Sequence, residues 1–126
     1  MERKNRSEFT YAIREPLRNK VVGLIIIKEI DWDQKTAELA YAIGKAFAGQ
    51  GWMSRAIKRV VVISFEELQL QTLHIVVHQS NLASIAVAEK CGFGWVKTLP
   101  NEHILPGEAA LDMELYLLHG KNRLTK

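Results

Sequence analysis

The alternation of apolar and polar residues predicts a first group of three strands. The first covers 9–14, and the second is the apolar, β-branched run 21–30, a composition typical of a strand buried on both faces. The turn "DWDQK" leads into the third strand, 36–44, which has two distinct faces. One face carries Glu38, Ala40 and Ala42, and the other carries Leu39, Tyr41 and Ile43.

Two later segments have helical periodicity. Apolar residues recur at intervals of three and four over 53–68, which predicts one buried face of a helix. The residues of this face are Met53, Ile57, Val60, Val61, Ser64, Phe65 and Leu68. A second helix is predicted over 81–91, with Ser80 or Asn81 as its N-cap and Gly92 as its stop.

Three further strands are predicted over 72–78, 93–100 and 111–118. The order of elements is therefore β-β-β-α-β-α-β-β. This order predicts an α/β (α+β) fold in which two helices pack on a mixed, mostly antiparallel sheet. With 126 residues, of which 48% are hydrophobic, the chain fits one domain spanning 1–126.

Charge and composition exclude several classes of function. The formal net charge of +3 suits a phosphorylated ligand, but without a long basic stripe it does not indicate nucleic-acid binding. The segment "VVGLIII" is too short to span a bilayer, and "MERKNRSEF" lacks the apolar part of a signal peptide. Cys91 is the only cysteine, so no internal disulfide can form, and a reducing cytoplasm is predicted. Its place in "EKCGF" predicts a small buried residue at a helix end, with a core-packing role.

The segment "GKAFAGQGWMSRA", residues 44–56, places two glycines around a glutamine directly before the first helix. The first N–H groups of a helix lack intrahelical partners and attract anions, so this loop predicts a phosphate site. The Gly-Lys-Ser/Thr ending of a Walker A loop is missing, and Ser54 replaces the third glycine of a dinucleotide fingerprint. A diphosphate at the helix start, near Arg55, Lys58 and Arg59, is the remaining interpretation.

Two motifs resemble the GNAT acetyltransferases. These are "AELAYAIGKAFAGQGWMSRAI" and "HQSNLASIAVAEKCGF", and the likeness extends from about Val21 to Tyr116. It is strongest to the RimJ/RimL type, which acetylates the N-terminal amines of ribosomal proteins. The resemblance implies the GNAT acyl-CoA N-acyltransferase fold, with acetyl-CoA as cosubstrate and no metal.

The resemblance also implies roles for particular residues. Asn81 would help to hold the coenzyme, and Ser84 would lie beside its thiol and protonate the departing thiolate. The remaining coenzyme contacts would be Gln50, Gly51, Trp52, Met53 and Ser54 at the pyrophosphate, and Ala42 and Ile43 at the pantetheine arm.

The chain departs from the family pattern at several points. Ala48 stands where the family usually has Gln or Arg, and Ala88 stands where many members have a tyrosine acid, which leaves the acid role to Ser84. The family also has a strand and two helices before the strand that begins here near Phe9. These features favour a shortened fold and keep open a catalytically silent CoA-binding or interaction module.

The predicted function is acetyl transfer to a primary amine, either a protein N-terminal α-amine or a small-molecule amine, by a chain that could associate as a homo-oligomer. Two carboxylates are candidates for the base: Glu38, on the strand expected to face the thioester, and Glu102, in the last long loop. Which of them acts is left open. His74 and His78 share one strand face but lack an evident third ligand, so they are interpreted as structural.

Overall fold

A computed structural model describes residues 8–100 and 112–120. The predicted order of elements is confirmed. The strands and helices are β1 (Phe9–Glu15), β2 (Lys20–Asp31), β3 (Thr36–Ile43), α1 (Trp52–Val62), β4 (Thr72–His78), α2 (Leu82–Lys90), β5 (Gly94–Leu99) and β6 (Met113–His119).

The six strands form one sheet in the order β1-β2-β3-β4-β6-β5. Every neighbouring pair is antiparallel except β3 and β4, which are parallel. The predicted fold class, a mixed and mostly antiparallel sheet with two helices, is therefore confirmed. The single parallel pair lies at the middle of the sheet, where the chain passes from β3 through α1 to β4.

Both helices and the sheet share one hydrophobic core. The predicted apolar face of the first helix is buried, except for Phe65, which is partly buried. The regular α-helix ends at Val62, and a π-helical turn, Ile63–Glu67, completes the predicted length. In the same core, Ile25, Leu39 and Leu73 are almost fully buried.

The prediction that β2 is buried on both faces is wrong. Ile25 and Ile27 are fully buried, whereas Val21 is 44% exposed and Leu24 is 42% exposed. The two helices belong to the core on which Ile25 and Ile27 lie, so the opposite face of β2 keeps its apolar side chains partly in solvent. β-branched composition alone does not distinguish a strand buried on both faces from a strand buried on one face.

The second helix begins and ends at the predicted signals. The Asn81 side chain accepts a hydrogen bond from the Ser84 backbone N–H at 3.2 Å, which satisfies one of the unpaired donors of the helix start. Gly92 adopts a φ of +93° directly after the helix, where a left-handed residue ends it. These signals fix where α2 begins and where it ends.

Candidate functional site

The parallel pair β3–β4 opens into a gap. Only three residue pairs align the two strands, and the last of these joins Glu38 to His74. Beyond this pair the strands separate, and a cavity of about 160 Å³ lies between them. Its walls are Leu39, Ala40, Tyr41, Ile75, Val76, Val77, His78, Asn81, Ser84 and Met113.

A larger cavity of about 300 Å³ lies between the glycine loop and α2. Tyr41 and Ser84 line both cavities, so the two spaces adjoin at these residues. The other walls are Ala42, Ile43, Phe47, Ala48, Gly49, Gly51, Trp52, Met53, Ser54, Ala83, Ala86, Val87 and Lys90.

The glycine loop has the backbone that a phosphate site requires. Gly49 has a φ of +78° and Gly51 a φ of +85°, values that L side chains rarely adopt. A Cβ at either position would meet no atom of the described residues within 4 Å, so the backbone is open to an approaching ligand. Gly51 is the N-cap of α1 and offers no side chain to the first N–H groups of the helix.

Four of the five predicted pyrophosphate residues line the larger cavity, and the fifth, Gln50, does not. Gly51, Trp52, Met53 and Ser54 line the larger cavity. The Gln50 side chain is directed into the loop itself: its Nε2 donates to the Ala46 carbonyl at 3.0 Å, and its Oε1 accepts from the Trp52 indole N–H at 3.2 Å. The structure therefore gives Gln50 a role in shaping the loop.

Two aromatic rings pack together in the wall of the larger cavity. The Phe47 and Trp52 rings meet edge to face with centroids 6.2 Å apart, and the Arg55 guanidinium carbon lies 5.6 Å from the Trp52 ring centroid. Lys90 of α2 adds an ammonium group to the lining of the same cavity. Backbone donors at a helix start, together with these cations, fit a pyrophosphate group.

Residues of α2 form the opposite wall. Ser84 lies where the two cavities adjoin, and its carbonyl accepts a hydrogen bond from the Tyr41 hydroxyl at 2.8 Å. Asn81 caps the helix and lines the smaller cavity. Ala42 and Ile43, the predicted pantetheine contacts, line the larger cavity at the end of β3.

Glu38 lies at the closed end of the gap with two basic partners. Its carboxylate is 3.6 Å from His74 Nε2 and 3.9 Å from Lys28 Nζ. The contact with His74 is the main cause that lowers the pKa of Glu38, with a smaller contribution from the Lys28 charge, and burial partly opposes both. Glu38 is therefore ionised at neutral pH. The second candidate base, Glu102, lies outside the described residues.

Cys91 is positioned by packing. Its thiol lies 3.5 Å from the Ser54 carbonyl, and the side chain packs against the core. Burial raises the pKa of the Cys91 thiol, so little of it is thiolate at neutral pH. This environment is unsuited to a nucleophilic cysteine.

Within residues 8–100 and 112–120, no cluster of three or more His, Cys, Asp and Glu side chains has the arrangement of a metal site. Over the same ranges, no helix is both long and apolar enough to cross a membrane.

Residues 1–94 match the family described as "Acetyltransferase (GNAT) domain". Because this match covers most of the chain, the chain belongs to the GNAT acetyltransferase family. The resemblance seen in the two sequence motifs is thus confirmed at the level of the family.

Individual relatives have names that point to two kinds of amine. The chain is 35% identical over 71 residues to "Putative ribosomal N-acetyltransferase YdaF" of Bacillus subtilis, a match that covers 56% of this chain and 39% of that protein. It is 25% identical over 115 residues to the spermidine N(1)-acetyltransferase of Vibrio cholerae, covering 91% of this chain and 66% of that protein. The chain thus spans about two fifths to two thirds of the length of these relatives.

Solved structures support the fold. A dodecameric spermidine N-acetyltransferase from Vibrio cholerae superposes with a TM-score of 0.85 at 22% identity, covering 97% of this chain and 70% of that one. At this identity the likeness concerns the fold.

Sequence reasoning missed two features of the site. Tyr41 was assigned only to a strand face, yet its hydroxyl reaches Ser84, and it lines both cavities. His74 was interpreted as structural, yet its ring lies against the candidate base Glu38. A hydroxyl on the apolar face of β3 was the available signal for Tyr41, while the pairing of Glu38 with His74 depends on strand register.

Proposed function

We propose that this chain is an acetyl-CoA-dependent N-acetyltransferase that transfers the acetyl group directly to a primary amine. The observation that carries this proposal is the meeting of the two cavities at Tyr41 and Ser84. In the proposed complex, the pyrophosphate lies against the start of α1, and the pantetheine arm passes Ala42 and Ile43 into the gap between β3 and β4. Membership of the GNAT family supports the same arrangement.

The proposed reaction begins with removal of a proton from the substrate ammonium by a carboxylate. The free amine then attacks the thioester carbonyl, and the tetrahedral intermediate collapses with release of the CoA thiolate. The Ser84 hydroxyl, at the junction of the cavities, donates its proton to this thiolate and recovers one from the substrate nitrogen, which loses its remaining positive charge as the amide forms. Glu38 is the described carboxylate at the end of the gap, and Glu102 is the alternative base.

We favour a protein N-terminal α-amine, of the ribosomal type named for one relative, as the acceptor. An α-amine has an ordinary pKa near 8, whereas a lysine-like amine has one near 10.4. Because the pKa of Glu38 is lowered, this carboxylate takes protons weakly and suits the less basic amine better. Small-molecule amines such as spermidine, the substrate in the name of another relative, are the competing acceptors.

The test is release of free CoA thiol with a panel of N-terminal peptides, lysine peptides and spermidine. We expect turnover that depends on the amine and is highest with an N-terminal peptide at pH 7. A higher kcat/KM for spermidine would overturn the choice of acceptor but not the reaction. Binding of acetyl-CoA without turnover on any amine would instead favour a catalytically silent CoA-binding module.

We also propose that the chain acts in the cytoplasm and associates into a homo-oligomer. The lone, poorly ionised thiol of Cys91 suits a reducing compartment. The edge strand β5 exposes Trp95 by 58% and Val96 by 43%, and a related structure is dodecameric. Light scattering at several protein concentrations tests association, and a monomer at every concentration would contradict it.

A further inference from the structure

Three charged or ionisable side chains form a row across the middle of the sheet. Lys28 of β2 lies directly opposite Glu38 of β3, and Glu38 is aligned with His74 of β4. The carboxylate contacts both neighbours, Nζ of Lys28 at 3.9 Å and Nε2 of His74 at 3.6 Å. His74 in turn faces the apolar Leu117 on β6. Lys28 and His74 are therefore the basic groups next to Glu38 on the two strands that flank it.

The row lies where the pairing of β3 and β4 ends. Glu38 and His74 are the last pair before β3 and β4 separate. Two residues further along each strand, on the same face, Ala40 and Val76 line the smaller cavity. The Glu38–His74 pair therefore lies two residues before the cavity into which the thioester is proposed to reach, where the two strands begin to separate.

Both side chains of the pair remain accessible to water. The Glu38 side chain is 20% exposed and the His74 side chain is 26% exposed. A group that accepts a proton from a bound substrate must afterwards return that proton to solvent. The partial exposure of the imidazole ring provides that exit.

We propose, on the basis of the function proposed above, that His74 is a positioning residue and proton relay for Glu38. The ammonium N–H bond of the substrate breaks and an O–H bond forms on the Glu38 carboxylate. This proton then moves to Nε2 of His74 in the neutral tautomer that carries its hydrogen on Nδ1, which restores the carboxylate, and the partly exposed imidazolium releases a proton to water. The free amine keeps the electron pair with which it attacks the thioester.

The electrostatics of the row favour this transfer. The contact with His74 is the largest cause of the lowered pKa of Glu38, so the ionised carboxylate beside the ring is the favoured state. A neutral imidazole has a ring nitrogen that can accept a proton, whereas a lysine ammonium is a donor without an acceptor site. Lys28 therefore holds the carboxylate electrostatically, and only His74 can pass on the proton.

A purely structural ion pair is the competing interpretation, since opposite charges on adjacent strands stabilise sheets. The two interpretations differ in kinetics. A structural pair affects stability alone, whereas a relay affects turnover in a way that depends on pH and on the presence of Glu38.

The experiment compares wild type with the variants His74→Gln, Glu38→Gln and the double variant, using an N-terminal peptide amine at saturating acetyl-CoA from pH 6 to 9. We expect His74→Gln to lower kcat by about tenfold near pH 6.5, less than the loss of the base itself. The deficit should shrink towards pH 9, where more of the amine is already free. In the Glu38→Gln background, His74→Gln should have no further effect.

Controls separate relay from folding. His119→Gln changes a histidine of β6 that contacts Thr72, away from both cavities, and should leave kcat unchanged at every pH. His74→Asn gives a second variant, and circular dichroism with calorimetry checks folding and acetyl-CoA affinity. An unchanged kcat in both folded His74 variants, or an equal loss with and without Glu38, would overturn the relay.

The outcome also separates this inference from the proposed function. Normal wild-type turnover together with normal turnover of the His74 variants overturns the relay alone. A wild-type chain that binds acetyl-CoA but acetylates no amine overturns the proposed function and the relay with it.

Discussion

The Tyr41 hydroxyl donates a 2.8 Å hydrogen bond to the Ser84 carbonyl and thereby ties strand β3 to the first turn of α2. The two residues line both cavities. Burial is the main cause that raises the pKa of Tyr41 above its usual value, so the hydroxyl stays protonated and keeps donating. This bond fixes the position of Ser84 relative to β3 at the place where the two cavities share their walls.

Replacing Tyr41 by Phe should therefore loosen this junction. The loss of one partly buried hydrogen bond is expected to lower the free energy of unfolding by about 1 kcal/mol. Because Ser84 is no longer held, kcat should fall several-fold while acetyl-CoA affinity changes less. Thermal unfolding and initial rates measure the two effects, and an unchanged kcat in the destabilised variant would argue against a role for the bond in catalysis.

Gly51→Val tests the phosphate loop. A valine at a φ of +85° strains the backbone, and its branched side chain would point into the space proposed for the pyrophosphate. We expect acetyl-CoA binding to weaken by at least ~1 kcal/mol, about a fivefold increase in Kd.

Gly44→Ala is the matched control for the loop variant. Gly44 has a φ of −62°, and a Cβ there would make only ordinary contacts, with the Val22 carbonyl at 3.5 Å and the Phe47 ring at 3.8 Å. Its acetyl-CoA affinity should equal that of wild type by calorimetry. Equal affinity in a folded Gly51→Val variant would contradict the assignment of the loop.

Much of the fold could be predicted because its signals are local. The 3.6-residue period of α1, the Asn81 cap and the Gly92 stop each depend on neighbours within a few positions. The uneven burial of β2 could not be predicted, because it depends on which face of the sheet the helices cover. The length of the β3–β4 pairing could not be predicted either, because it too depends on how distant segments pack together.

The candidate site was predictable where it depends on backbone shape. The glycine loop and the start of α1 are encoded in consecutive residues, and they line the larger cavity. That this cavity holds the pyrophosphate stays a prediction. Contacts between distant segments were not predictable: Tyr41 to Ser84 spans 43 positions, and Glu38 to His74 depends on strand register. The Gln50 side-chain amide bonds within the loop, and a contact of Gln50 with the pyrophosphate stays a prediction.

Glu38→Gln should change the pH dependence of stability. The pKa of Glu38 is lower in the folded chain than its ordinary value of 4.5, which applies to the unfolded chain. The ionised carboxylate therefore stabilises the fold fully at pH values above about 4.5. This contribution to stability disappears as the pH falls through the lower pKa that Glu38 has in the folded state. Wild type should therefore be more stable than Glu38→Gln by about 1 kcal/mol at pH 7, and the difference should vanish in acid.

Urea unfolding from pH 3 to 7 measures this difference, with Glu29→Gln as a control. Glu29 is an exposed carboxylate on the same strand as Lys28, so its loss should have a smaller effect. A wild-type advantage that persists unchanged at pH 3 would contradict the ionic role of Glu38.

Cys91→Ala tests direct transfer against an acetyl-cysteine intermediate. Because burial keeps the thiol protonated, the variant should retain turnover within a few-fold and lose some stability through poorer packing. Loss of all activity, together with an acetylated Cys91 in the wild-type protein by mass spectrometry, would establish a covalent mechanism instead.

The most direct test of the central claim is an amide chemical-shift map of the isotopically labelled chain during titration with acetyl-CoA. The account predicts large shifts for Gly49 and 51–54 at the start of α1, and for 41–43 along β3, with Ser84 also affected. The β1–β2 turn around Leu17 should remain unchanged. Shifts confined to the exposed strand β5, or their absence from the glycine loop at saturation, would contradict a coenzyme site between the loop, β3 and α2.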